Sequence, residues 1–96
     1  MYAVIFRAKI NEIDNSYSEM ALQMRDLAKN KYGCIEFTAV TEGTNEIAIS
    51  YWHTLEQILQ WKNDVNHTVA QELGRSKWYK EYQVQVVEII REYKKT

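Results

Sequence analysis

CIEFTAVTEGTNEIAISYW, residues 34–52, contains two runs rich in β-branched and aromatic residues on either side of a polar quartet, Glu42 to Asn45. Short runs of this composition are typical of β-strands, and a tight polar turn between two of them predicts an antiparallel hairpin. We therefore predict strands over residues 34–41 and 46–52, joined by the turn that contains Gly43.

The residues before this hairpin predict a strand and then a helix. Side chains in residues 2–10 alternate between two faces, with the even-numbered ones on one side. Ser16 and Glu19 have the spacing of a capping box, and apolar side chains at helical spacing follow through Ala28. Gly33 can adopt the left-handed conformation that ends such a helix.

The residues after the hairpin predict a helix in two parts. Thr54 and Gln57 have the spacing of a second capping box, so a short helix begins there. Asn63 or Asp64 can cap a further helix, which runs to Gly74.

Residues 84–90 are rich in β-branched side chains and predict the last strand. The resulting order is strand, helix, strand, strand, broken helix, strand. This order is that of the α+β ferredoxin-like fold, a four-stranded antiparallel sheet with helices on one face. The sequence has no proline, three glycines and no internal repeat. We therefore predict one domain that spans residues 1–96.

Both faces of the predicted sheet are apolar. In the third strand, Ile47 and Ile49 lie on one face and Ala48 and Trp52 on the other. An antiparallel sheet with one face in water should carry polar residues on the face in water, and this strand does not. The helices can cover only one face. We therefore predict a homodimer in which two sheets pack face to face around a shared core, forming a dimeric α/β barrel.

Composition and charge argue against several classes of partner and location. Twelve basic and thirteen acidic side chains give a formal charge of −1, which supplies no positive field for nucleic acid or anionic lipid. No window approaches the roughly 18 consecutive apolar residues of a membrane span, and the first residues lack a signal-peptide pattern. We therefore expect a cytoplasmic protein that binds neither nucleic acid nor membrane.

The sequence also lacks the residue patterns of common metal and cofactor sites. Cys34 is the single cysteine, and His53 and His67 have no third ligand at suitable spacing, so we expect no metal. No glycine-rich phosphate loop is present, so we expect no nucleotide cofactor. Ser50 and Ser76 lack the surroundings of a catalytic nucleophile.

Residues 50–82 hold all three tryptophans and both histidines. Aromatic side chains of this density can simply form a core, because each ring buries about 150–250 Å². Trp52 ends a strand, where a core ring is expected. Trp61 lies beside the predicted break between two helices, where a cavity can open.

The helix predicted to end at Gly74 has two different faces. In one interpretation the aliphatic face packs in the core and the polar face is in water. In the other, the polar face lines a pocket and the aliphatic face meets a neighbouring element. The polar face consists of His67, Ala70, Gln71 and Gly74, and the aliphatic face consists of Val65, Val69 and Leu73.

Arg75 follows this helix directly. If the polar face lines a pocket, Arg75 places a cation at the mouth, where it would hold an anionic or phenolate ligand. If it does not, Arg75 is a solvated charge.

The run EIAISYWHTLEQILQWK, residues 46–62, followed by HTVAQELGRSKWY, residues 67–79, resembles the antibiotic biosynthesis monooxygenase domain family. The resemblance extends over nearly the whole chain. It implies a pocket between sheet and helices in each protomer. It also implies oxidation of a small phenolic, quinol or polyketide-like substrate by O₂, with no metal or flavin.

Such chemistry requires the protein to hold a substrate anion, exclude water and relay a proton. Trp61 would fit the role of a pocket wall, and His67 is the candidate proton acceptor. Gln71 and Arg75 would orient the anion. The tyrosines that can supply further donors to the substrate are Tyr51, Tyr79 and Tyr82.

A related branch of this fold degrades haem, and the sequence departs from it. Trp61 matches the tryptophan of that branch, but Gln71 stands where its haem-ligating histidine falls, and Arg7 stands near its strand asparagine. Without the axial ligand we expect no haem. Two other functions remain open: a non-catalytic, ligand-binding or stress-associated dimer, and an isomerase or lyase with His67 as base.

Overall fold

A computed structural model describes the backbone of residues 1–96 and every side chain except that of Val65. In chain order the elements are β1 (Tyr2–Ile10), α1 (Asn15–Asn30), β2 (Glu36–Glu42), β3 (Asn45–Trp52), α2 (Leu55–Lys62), α3 (Val65–Leu73), a π-helical turn (Gly74–Trp78) and β4 (Tyr79–Glu88).

The four strands form one antiparallel sheet in the order β2-β3-β1-β4. Val4 in β1 lies opposite Ser50 in β3 and opposite Val86 in β4, so these three side chains share a face. The helices pack on that face, and the predicted α+β ferredoxin-like fold is confirmed. In the part of the chain that the structure describes, no helix combines the length and the apolar character of a membrane span.

Helix α1 begins earlier than the capping-box pattern predicts. Its cap is Asp14, whose carboxylate accepts from the backbone N–H of Tyr17 at 3.2 Å and from the Ser16 hydroxyl at 2.6 Å. Lys77 makes an ion pair with the same carboxylate at 2.6 Å. These contacts hold the pKa of Asp14 well below its usual value, the bond from Lys77 first among them. The predicted cap at Ser16 is therefore wrong, because the neighbouring carboxylate takes the role.

Helix α2 begins where its sequence pattern predicts. Thr54 accepts from the backbone N–H of Gln57 and the Gln57 side chain returns the bond to the Thr54 backbone, so the capping box is complete. This start places Ile58 and Trp61 on the inner side of the helix, both less than a tenth exposed. The second helix of the pair begins after Asp64, as predicted.

Two strands have limits that differ from those predicted. β2 begins at Glu36, two residues late, and leaves Cys34 buried before the strand. β4 begins at Tyr79, whereas we predicted that it begins at residue 84. The polar stretch after Tyr79 lacks β-branched residues, but it pairs with β1, as between Glu81 and Lys9.

The core lies between the sheet and the helices. Trp52 is fully buried, as expected for a core ring, and its indole N–H donates to the Ser50 hydroxyl at 2.8 Å. Val4, Met24 and Ala28 pack around it. Gly33 has a φ of +84°, but it lies two residues past the cap of α1 at Lys31.

The opposite face of the sheet has no helix on it. Alternation from the observed register places Ile5, Ile49 and Tyr51 there, with more peripheral apolar side chains around them. Val40 is 60% exposed and Ile47 38% exposed on this face. We call this surface the outer face.

Candidate functional site

A cavity of about 360 Å³ lies between the inner face of the sheet and the helices. Its size suits a small organic molecule, since ligand pockets usually measure about 300–1,000 Å³. Most of its wall is apolar or aromatic. The wall includes Val4, Phe6, Phe37 and Val84 from the sheet, Met20 and Met24 from α1, and Trp61 from α2.

Helix α3 turns its polar face to this cavity. His67, Ala70 and Gln71 line the wall, whereas Val69 on the other side of the helix is 43% exposed. The structure therefore agrees with the interpretation in which the polar face lines a pocket. The alternative, in which the aliphatic face packs in the core, is wrong at Val69. The side chain of Val65 lies outside the described part of the structure.

His67 is held in a dry environment. Its ring contacts Trp61 edge to face, with centroids 4.3 Å apart, and its Nδ1 is buried without a hydrogen-bond partner among the described residues. Burial lowers the pKa of His67 from 6.5 to about 4, with Lys62 adding to the effect and Asp64 opposing it. The imidazole is therefore neutral at pH 7 and has a lone pair to accept a proton.

Trp61 forms a fixed wall of the cavity. It is 8% exposed, and its indole N–H donates to the Met24 carbonyl at 3.1 Å. Its ring also packs against Trp52 at 5.3 Å and Phe37 at 6.2 Å between centroids. Contacts on several sides leave the ring little freedom to move.

Part of the cavity wall is polar, and sequence reasoning missed it. The Tyr17 hydroxyl donates to Glu46 Oε2, and the Tyr79 hydroxyl lies 3.3 Å from Tyr17 Oη and 3.4 Å from Glu46 Oε2. Burial raises the pKa of both tyrosines far above its usual value, so both hydroxyls keep their protons at neutral pH. The sequence contained a signal for Glu46. Side chains two positions apart in a strand share a face, so Glu46 lies with Ala48 on the face that carries Trp52.

The π-helical turn and the strand after it position Tyr79. A Cβ on Gly74 would lie 3.1 Å from two carbons of the Tyr79 ring, so glycine lets the ring approach. The register of β4 shifts opposite Lys9 and Ile10, which leaves Lys80 without a partner on β1. This bulge puts Tyr79 and Tyr82, three residues apart, on the same side of the sheet.

Trp78, in the same turn, is 3% exposed and packs edge to face against Tyr17, with centroids 5.1 Å apart. Its indole N–H is buried and has no hydrogen-bond partner among the described residues. The end of the turn and the start of β4 therefore supply two adjacent aromatic walls to the cavity, Trp78 and Tyr79. Single π-helical turns next to an α-helix occur often at functional sites.

The structure brings together five of the seven side chains proposed for the site and separates two. Tyr51 lies on the outer face, because it pairs with Ala3 and Glu36 on the side away from the helices. The Arg75 side chain is 56% exposed and pairs with Glu72 at 2.8 Å. The expectation that these two reach the pocket is therefore wrong. The side chains that do line it are Trp61, His67, Gln71, Tyr79 and Tyr82.

Within the described residues, no group of three histidine, cysteine or acidic side chains is arranged to hold a metal ion. Cys34 is buried, and burial raises the pKa of its thiol. The groups that line the cavity are a neutral imidazole, an amide, the Arg25 guanidinium, aromatic rings and the Tyr17–Glu46–Tyr79 cluster.

Known structures share this architecture. SnoaB, a cofactor-independent oxygenase from Streptomyces nogalater, superposes with a TM-score of 0.78 over 95% of this chain and 94% of its own, at 8% identity. Rv0793 from Mycobacterium tuberculosis gives 0.81 over 97% and 98%, at 11% identity. A putative antibiotic biosynthesis monooxygenase from Nitrosomonas europaea gives 0.77 over 95% and 100%, at 10% identity. The chain has the antibiotic biosynthesis monooxygenase fold, as the sequence resemblance implied.

A comparison by sequence gives a nearer relative. The uncharacterized protein YqjZ of Bacillus subtilis is 37% identical over 92 residues, which cover 95% of this chain and 81% of that protein. No family model matches the chain. The chain belongs to the same protein family as YqjZ.

Proposed function

We propose that this protein is a cofactor-independent monooxygenase that oxidises a small phenolic or quinol-type aromatic molecule with O₂. The observation that carries the proposal is an aromatic-walled cavity of about 360 Å³ whose wall includes a neutral, half-buried histidine. The fold shared with a cofactor-independent oxygenase supports it. That likeness, at 8% identity, concerns the fold alone.

In the proposed mechanism the substrate ring packs against Trp61, and its hydroxyl donates to His67. Transfer of the proton to His67 leaves an electron-rich phenolate. The phenolate passes one electron to O₂, and the two radicals combine to form a carbon–oxygen bond. In an anthrone-type substrate, whose keto form carries a ring CH₂ at the reacting carbon, the peroxide anion takes the proton back from His67 to give a hydroperoxide. Loss of water from that hydroperoxide leaves a carbonyl at this carbon, so that O₂ supplies one oxygen to the product and one to water. Gln71 orients the phenolate oxygen.

The energetics of the first step are compatible with the geometry. Moving a proton from a phenol of pKa near 10 to an imidazole of pKa about 4 costs roughly 8 kcal/mol when the charges do not interact. An imidazolium and a phenolate about 4 Å apart attract each other by about 4 kcal/mol at an effective dielectric constant of 20. The remaining cost is small beside typical catalysed barriers, and a substrate more acidic than phenol lowers it further.

The experiment is O₂ uptake by metal-free protein with a panel of hydroquinones and anthrones. Each compound is run with a no-enzyme autoxidation control, with a Trp61→Phe variant and with His67→Ala. His53→Ala is the matched control, because His53 is exposed and lies outside the cavity. Saturable uptake that falls in the first two variants and persists in the third supports the proposal.

Background uptake with every compound refutes the proposed activity for this substrate class. Thermal stabilisation by the same compounds in that case indicates the alternative, a non-catalytic ligand-binding dimer.

The proposal includes a homodimer formed through the outer face. Ile5, Ile47, Ile49 and Val40 make that face apolar without cover from the chain's own helices. Sheet-on-sheet packing with a second copy would bury it. Sedimentation should give a dimer at micromolar concentration, and Ile47→Lys should give a monomer. Leu59→Lys, at a more exposed position on a helix, should leave the dimer intact. A monomeric wild-type protein would refute the proposed assembly.

A further inference from the structure

One part of the cavity wall is not used by the proposed reaction. It consists of Tyr17 from α1, Glu46 from β3 and Tyr79 from β4, and we call it the acceptor cluster. Three separate elements bring these side chains together, and all three line the cavity. The proposed proton acceptor, His67, comes from a different helix.

The carboxylate in the acceptor cluster has no cationic partner among the side chains that the structure describes. None of the ion pairs among the described residues includes Glu46. Arg25 is the other charged side chain of the cavity wall, and it makes no ion pair with Glu46. Glu46 is stabilised instead by the phenolic hydroxyls of Tyr17 and Tyr79. A carboxylate held in this way keeps its negative charge available to a ligand.

Counting donors and acceptors indicates what the cluster can bind. Its two hydroxyl protons are both used inside the cluster, one from Tyr17 to Glu46 and one from Tyr79 at 3.3–3.4 Å to both neighbours. The carboxylate and the two hydroxyls together provide about eight lone pairs that can accept hydrogen bonds, which is many more than the two protons can fill. The cluster therefore has a surplus of acceptors and no free donor.

We propose that the acceptor cluster is a specificity subsite that binds a hydrogen-bond donor, hydroxyl or ammonium, on an aromatic ligand, and that Glu46 makes the cavity reject aromatic carboxylates. This inference rests on the proposed function for the identity of the cavity as the substrate site. It differs from the expectation that Arg75 holds an anionic ligand, because Arg75 lies outside the cavity. A dianionic or carboxylated substrate would meet like charge at Glu46, whereas a polyhydroxylated aromatic would find both a base at His67 and acceptors at the cluster.

The test is calorimetric binding of three ligands with one ring system: naphthol, naphthylmethylammonium and naphthoate, at pH 7. Wild-type protein should bind at least one of the two donor-bearing ligands about tenfold or more tightly than naphthoate. In Glu46→Gln the charge is lost while the size and the acceptor for Tyr17 are kept. Its affinity for naphthoate should rise about tenfold, and its affinity for the ammonium ligand should fall by a similar factor.

Glu72→Gln is the control, because Glu72 is an exposed carboxylate outside the cavity wall. It should leave all three affinities unchanged, and near-ultraviolet circular dichroism checks that each variant is folded. If the tighter donor-bearing ligand is naphthol, the subsite takes a hydroxyl; if it is the amine, the subsite takes an ammonium group.

Three results would overturn the inference: wild-type affinities that do not distinguish naphthoate from the other ligands, unchanged ratios in Glu46→Gln, or no binding by any of the three. Because the measurement needs no O₂, its outcome is separate from that of the proposed reaction. The expected ratios without O₂ uptake refute the oxygenase alone. O₂ uptake with no discrimination against the carboxylate refutes the subsite alone.

Discussion

Acidification from pH 7 to pH 5 should destabilise the wild-type protein more than a His67→Gln variant, by at most about 2 kcal/mol. The imidazole has a pKa of 6.5 in the unfolded chain and about 4 in the folded one. The folded state therefore binds fewer protons between these two values, and the free energy of unfolding decreases as the pH falls through this window.

The size of the effect follows from the same two pKa values. At pH 5 the unfolded chain is almost fully protonated at this site and the folded chain is mostly neutral, which makes a difference of about 2 kcal/mol relative to pH 7. Below pH 4 the limit is about 3 kcal/mol, since one pKa unit corresponds to 1.36 kcal/mol. Solvent contact of the partly exposed ring makes these values upper bounds.

The assay is urea unfolding at pH 7 and pH 5 for wild type, His67→Gln and the control His53→Ala, at one protomer concentration. Asp14 and Asp64, whose pKa values are lowered in the folded state, also contribute to acid sensitivity. All three proteins contain them, and the contribution of Asp14 cancels when the variants are compared. That of Asp64 cancels between wild type and His53→Ala, and in His67→Gln it differs only by the interaction of Asp64 with His67. The control should lose as much stability as wild type.

A His67→Gln variant that loses as much stability as wild type between the two pH values would refute the reasoning. Such a result would mean that the His67 ring is hydrated in the folded protein. Its assignment as a buried neutral proton acceptor would then fall with it.

Two further variants test the aromatic walls. Trp61→Phe should destabilise the protein by about 0.5–1.5 kcal/mol more than Trp78→Phe, because it removes the hydrogen bond from the indole N–H to the Met24 carbonyl, whereas the Trp78 N–H has no partner to lose among the described residues. Equal midpoints in urea would contradict this. Gly74→Ala should displace the Tyr79 ring by a few tenths of an ångström and weaken naphthol binding, since the new methyl would lie 3.1 Å from that ring. Unchanged affinity would show that the ring position does not matter for binding.

The strand and helix order was predictable because the signals behind it are local. The α2 capping box involves only residues 54–57, and both of its hydrogen bonds form as predicted. The start of α1 was not predictable in the same way. Asp14 and Ser16 are both good caps, and an ion pair from Lys77, which is 63 positions away in the chain, adds to the contacts that favour Asp14.

The set of side chains that line the cavity was predictable in part. Helical spacing grouped His67 with Gln71, but it did not decide whether water or a cavity lies beside them. Tyr51 could have been assigned correctly, because alternation puts it with Ile47 and Ile49 on the outer face. Arg75 could not, since the π-helical turn changes the spacing after Leu73 and rotates the following side chains.

The unpaired residue Lys80 decides which side of the sheet Tyr79 faces. Tyr79 and Tyr82 are three positions apart, so simple alternation would put them on opposite sides, and the unpaired residue between them brings both to the inner side. Removing Lys80 would leave the two tyrosines two positions apart, which is the spacing of a regular strand, so the Tyr79 hydroxyl would stay on the side of Tyr17 and Glu46. The chain can therefore lose one residue at this bulge and keep the polar wall of the cavity, whereas a regular strand of the present length would lose it.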